Sequence, residues 1–110
     1  MDIVAARDRV LSSYNAEEYD HFGKVAFRIR AKKAGGKPGR TFMTLWLDEG
    51  HAVLMLDDER QTTLMEEHAD AFVPHPSKWG EKGATIMRLS AVNVTIFDAA
   101  VQVAFAWAAR

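Results

Sequence analysis

The chain has 110 residues, of which 48% are apolar and 26% charged, and none is cysteine. That is the size and composition of a single ordinary globular domain, and it excludes a disulfide scaffold, a thiol nucleophile and every cysteine-based zinc or iron–sulfur site. The net charge of -1 conceals an asymmetry: seven of the fourteen Lys and Arg lie between Lys24 and Arg40 with no acid among them, so a basic arm is set on an acidic body.

The first helix is expected from about Asp2 to Ser13, with Ile3, Val4, Val10, Leu11 and Tyr14 on one stripe and Asp8 and Arg9 facing away. The same stretch lacks the charged start and unbroken apolar core of a signal peptide. After Asn15, EEYDHFG reads as a polar connection closed by Gly23. KVAFRIR alternates strictly, placing Val25, Phe27 and Ile29 on one face of a strand and Lys24, Arg28 and Arg30 on the other. AGGKPG is a turn-rich loop. TFMTLWL is the second strand, with Phe42, Thr44 and Trp46 alternating onto one face, and Asp48-Glu49-Gly50 turns the chain into AVLML, the third. The simplest arrangement is a three-stranded antiparallel meander.

Asp57 and Asp58 offer N-caps, with Gln61 at capping-box spacing from Asp58, for a helix running to about His68. AFVPHPSKWGEKG reads as irregular and ATIMRLS as a further strand. Asn93 or Thr95 caps the last helix, where Phe97, Val101, Ala104, Phe105 and Ala108 form a core stripe and Ile96, Ala100, Val103 and Trp107 a second one. Burial of both stripes within one chain is the expectation, hence a monomer, with a homodimer seam along this C-terminal helix as the alternative. The segment is too short to span a bilayer and carries Asp98 and Gln102. The elements together make an α+β two-layer sandwich, with helices on one face of an antiparallel sheet and the other face partly open. A cytoplasmic protein without a membrane partner is expected.

EEYDHFGKVAFRIR, TFMTLWLDEGHAVLML and DDERQTTLMEEHADAFVPHPSKWGEKGATIMRL, in that order, resemble the MmcQ/YjbR-like family of small bacterial proteins. The shared features are H-F-G-x-x-x-F-R, a strand ending in an acidic turn, an acidic-capped helix, and a proline-led W-G-x-x-G before a strand. They cover nearly all of residues 1–110 as one domain. The resemblance implies a frataxin-like fold of the double-wing type and DNA binding. The chain departs from the family between the first two strands, where a short link of the form G-G-K-I-F is stretched to RAKKAGGKPGRTF.

The basic arm has two readings. On the first, Lys24, Arg28 and Arg30 project from the open face, and Lys32, Lys33, Lys37 and Arg40 ride a two-stranded ribbon that neutralises phosphates. If the register sets Phe42, Thr44 and Trp46 beside Arg28 and Arg30, the result is an aromatic and cationic platform for single-stranded bases. No helix-turn-helix, zinc finger or RNP motif is present, so binding to DNA or RNA would be weak, non-specific and steeply salt-dependent. On the second reading, exposed hairpins collect lysine because it discourages strand pairing between molecules, and Trp46 belongs to the core.

His21, Phe22, Gly23, Trp79, Gly80 and Gly83 carry the family-like signature. They form either a small pocket or contact surface or, the preferred reading, architecture. In that reading Phe22 and Trp79 pack, Gly23 and Gly80 permit special turns, and His21 hydrogen-bonds a loop. The histidines at 21, 51, 68 and 75 show no metal-ligand spacing, and no cofactor is implied. Asp57, Asp58, Glu59, Glu66 and Glu67 resemble the acidic ridge by which frataxin-like folds engage iron, although caps and helix-dipole partners also use such acids. There is no nucleophile elbow, Walker loop or dinucleotide fingerprint, so no enzyme is expected. Nucleic-acid binding leads; a protein-interaction module using the open sheet face and the Trp79 loop is the rival, and a metal or small-molecule binder stands third.

Overall fold

Four side chains start the helices. The Asp2 carboxylate accepts from the Ala5 N–H (2.8 Å) and opens α1 (Ile3–Ser13). Asp57 accepts from Arg60 N–H (2.9 Å) and opens α2 (Asp58–Glu67). Ser77 does the same for the single turn α3 (Lys78–Glu81), and Asn93 for α4 (Val94–Ala108). Each supplies an acceptor to a helix-start N–H that has no intrahelical partner. Asp57 rather than Asp58 is therefore the cap, and Gln61 completes no capping box. It is buried instead, donating to the carbonyls of Gly80 and Ala84, both at 3.0 Å.

The computed structural model describes the whole chain, Met1–Arg110. Its six strands are β1 (Ala16–His21), β2 (Lys24–Ile29), β3 (Thr41–Trp46), β4 (His51–Leu54), β5 (Phe72–Pro74) and β6 (Thr85–Arg88). They form one antiparallel sheet in the order β1-β2-β3-β4-β6-β5. The expected meander is thus four strands long, because EEYDHFG is not a connection: its alternating polar residues make the edge strand β1 and a hairpin turn. The second addition is β5, inside the segment read as irregular.

Cross-strand register puts Val25, Leu45, Ala52, Met87 and Phe72 in one row, and Phe27, Met43 and Leu54 in the next. These residues face the helices, and all but the half-buried Val25, which packs against it, belong to a 21-residue core with Ala6 and Val10 of α1, Leu64 of α2, and Phe97, Ala100, Val101 and Ala104 of α4. Burial of each such large side chain stabilises by about 1.5–3 kcal/mol. Val4 does not share in it and is 67% exposed; the small Ala6 takes the place against the sheet.

Register slips between Phe27 and Arg28, a bulge against β3. It turns Phe42 to the helix side, where its ring meets Tyr14 (6.3 Å between centroids) and Phe105 (5.2 Å). Phe42, Thr44 and Trp46 therefore do not share a face, since a bulge resets the two-residue alternation. On α4 the first stripe is buried except for half-buried Phe105, and of the second stripe only Ala100 is fully buried. Trp107 is covered within the chain by Arg60 and Arg110, whose guanidinium carbons stand 4.3 and 3.6 Å from its ring centroids. No helix is long and apolar enough to cross a membrane.

Candidate functional site

The sheet face turned away from the helices is built by the alternate positions. Register brings His21, Lys24, Trp46, His51 and Arg88 into one row across five strands, and Tyr19, Ala26, Thr44, Val53 and Ile86 into the next. Ala26, Thr44 and Val53 are buried although no helix covers them. They form a floor of small residues beneath larger side chains. The Trp46 indole N–H donates to Thr44 Oγ1 (3.0 Å), which fixes the ring over that floor. Trp46 is thus on the open face, not in the core.

Two cation–ring couples sit on this face. Lys24 Nζ lies 4.2 Å from the Trp46 ring centroid, and the Arg28 guanidinium lies 4.3 Å from that of Tyr19. Arg28 Nε also donates to Glu17 (2.7 Å), and the Tyr19 hydroxyl bonds Thr41 Oγ1 and His21 Nδ1. Rings and cations thus meet in other pairs than expected: Trp46 joins Lys24, Tyr19 joins Arg28, Phe42 is in the core, and Arg30 lies just past the strand.

The 30–40 segment is not a straight ribbon. Gly39 N–H donates to Ile29 O (2.8 Å) and Ile29 N–H to Arg40 O (3.1 Å), and a Cβ on Gly39 would stand 2.8 Å from that of Ile29, so the chain pinches shut. Beyond the pinch the loop turns at Gly35 (φ 74°) and folds over a cleft of about 410 Å³. Arg28, Arg30, Lys32 and Lys33 line the cleft, with Glu17 its only acid. The Arg30 guanidinium donates to Ala16 O (3.1 Å), and Lys37 is exposed on the loop. Arg40 leaves the group altogether: its Nη1 donates to the carbonyls of Ala108 (3.0 Å) and Arg110 (3.1 Å), where the α4 dipole favours a cation. Lys24 stands at the other end of β2, about 17 Å from Ile29 at strand rise.

The signature residues gather at that Lys24 end. His21 and Lys24 close a two-residue turn in which Phe22 (φ 53°) and Gly23 (φ 84°) are both left-handed, the geometry that suits the twist of a hairpin. Gly23 serves the turn as expected, but Phe22 does not pack into the interior: it is 92% exposed, with the His21 ring edge-on to it (4.8 Å). Trp79 is 53% exposed. His21 bonds Tyr19 on its own strand rather than a loop. Gly80 has no positive φ, so it permits close approach rather than a special turn: a Cβ there would collide with the His75 carbonyl, while Gly83 (φ 118°) lies against the backbone of Leu56 and Asp57.

These two glycines hold the 75–84 loop against the sheet, and His75 reaches Trp46 (5.5 Å between centroids) and Trp79 (6.2 Å), with Nδ1 bonded to Ser77 Oγ (2.8 Å). His51 lies 5.6 Å from Trp46 on the other side, its Nε2 buried without a hydrogen-bond partner. Burial lowers the pKa of His51; His75, Lys24 and Arg88 act in the same direction and Glu49 opposes them.

Tyr19, His51 and His75 were not among the expected site residues. Nothing local marks Tyr19, which lies on a strand without an apolar period, or His75, which lies in an irregular loop. On the helix layer cations are consumed in pairs: Arg7 with Glu18, Arg9 with Asp98, and Arg60 with Asp57. The Arg9 hydrogen bond holds the Asp98 carboxyl below its usual range. Of the seven cations from Lys24 to Arg40, by contrast, only Arg28 has an acid partner. No group of three or more His, Asp or Glu converges as a metal site. No protein-family model matches the chain, and no curated protein or solved structure matches it either.

Proposed function

We propose that this chain is a nucleic-acid-binding protein of the MmcQ/YjbR-like kind, with the frataxin-like, double-wing form of the α+β sandwich. It binds weakly and without sequence preference, and it does so as a binding protein rather than a catalyst. The carrying observation is the unbalanced cleft: Arg28, Arg30, Lys32 and Lys33 surround it against Glu17 alone, with Lys37 on the same loop. Cations without acid partners are available to phosphates, and the release of counterions supplies the affinity. Arg40 is outside this group, being engaged at the end of α4.

The test is fluorescence anisotropy of labelled oligonucleotides across a salt series, with Lys32, Lys33 and Lys37 changed together to Ala. Binding should weaken as salt rises, and removing three phosphate contacts should flatten the log–log slope by about 2. Failure to bind at low salt would sink the reading. The exposure of Phe22 and Trp79 favours a second reading, a protein partner anchored on apolar rings. That partner would be held with little salt dependence and lost on Phe22→Ala or Trp79→Ala.

A further inference from the structure

The two cation–ring couples on the open face carry more than charge. Each sets a positive group on an aromatic ring, Arg28 on Tyr19 and Lys24 on Trp46, and the two rings stand on the strands either side of β2, one row or about 7 Å apart at strand rise. A nucleotide presents the matching pair, a flat base and a phosphate. Between the couples the floor is low, because Ala26 and Thr44 are small and buried. The Arg28 end opens into the basic cleft, so an extended chain can run from the 30–40 loop along β2 to Trp46 without leaving positive surface. The only acid lining the cleft is Glu17, already paired with Arg28.

We propose that the nucleic acid is single-stranded and lies along β2, with one unpaired base stacked at Tyr19 and one at Trp46. Arg28 and Lys24 move from the rings onto the adjoining phosphates as the bases take their places. Trp46 is held ready by its bond to Thr44, and Tyr19 by its bond to Thr41, so the rings lose little freedom on binding. A duplex hides its bases inside the stack and gains only the electrostatic share. This inference rests on the nucleic-acid reading above and names the form of the ligand.

The decisive comparison uses the unaltered protein and three labelled probes at one salt concentration: an oligothymidine, an abasic strand of equal length, and a duplex of equal length. Stacking of two bases predicts that the oligothymidine binds at least about tenfold more tightly than the abasic strand, and more tightly than the duplex. Trp46→Leu, checked for a native circular dichroism spectrum, should remove one base's share of that advantage, and Trp46→Leu combined with Tyr19→Leu should abolish it. Equal affinity for oligothymidine and abasic strand would overturn the stacking proposal and leave phosphate binding standing. Preference for the duplex would also overturn it. If no probe binds, the nucleic-acid reading itself falls and takes this inference with it.

Discussion

Phe22 occupies a left-handed backbone conformation (φ 53°) that costs a bulky L-residue about 1–2 kcal/mol, and it presents its ring to solvent. Residues of this kind persist where surrounding structure dictates the turn, here a two-residue hairpin between His21 and Lys24. His51 is the other unusual residue. Burial disfavours its charged form, so the folded imidazole takes up a proton only at a lower pH than the unfolded one, whose pKa is about 6.5. Between those two values the unfolded chain binds more protons, and stability therefore falls as pH is lowered through that window. Thermal unfolding followed from pH 8 to pH 5 should show this decline starting near 6.5. His51→Gln should flatten it; an unchanged pH profile in that variant would mean His51 is not the group responsible.

Among the elements, the short α3 and the 75–84 loop that contains it do the positioning. Gln61 reaches from α2 to the carbonyls of Gly80 and Ala84, while His75 N–H donates to Ala84 O (2.9 Å), so one buried amide ties α2 to both sides of the loop that places His75 and Trp79. Gln61→Leu should cost about 1–2 kcal/mol in urea denaturation. Hydrogen exchange should quicken at Trp79–Ala84 before the rest of the sheet. Uniform exchange across the molecule would show that the loop is held by packing alone. Gln61 illustrates how spacing misleads: its position after Asp58 suits a capping box, but Asp57 starts the helix, which rotates Gln61 into the interior.

At the scale of the whole molecule, charge separates by face. Arg7, Arg9 and Arg60 of the helix layer are paired with acids, whereas no cation of the 30–40 loop has an acid partner. Because that loop is pinched off by the Ile29, Gly39 and Arg40 backbone bonds, its basic portion is separable from folding. Replacing Lys32–Lys37 with Asn-Gly should keep the melting temperature within about 5 °C, since loop length enters stability only logarithmically. Oligonucleotide binding should weaken in the same protein, with the salt slope flattened as in the triple alanine variant. A variant that fails to fold would assign the loop a structural role instead.

Alternation along KVAFRIR and TFMTLWL, the apolar stripes of α1 and α4, and the concentration of cations at 24–40 are local patterns, and from them the α+β class, the antiparallel pairing and the basic segment were legible in the sequence. β1 was not, because an edge strand can be polar on both faces and then carries no apolar period. The bulge at Phe27–Arg28 was not either, and it alone moved Phe42 to the core while Trp46 stayed on the open face. Which rings meet which cations depends on register between strands, and that is set by the packing of both sheet faces at once. Tertiary structure therefore decided that Lys24 belongs with Trp46, that Arg28 belongs with Tyr19, and that Arg40 serves a helix end.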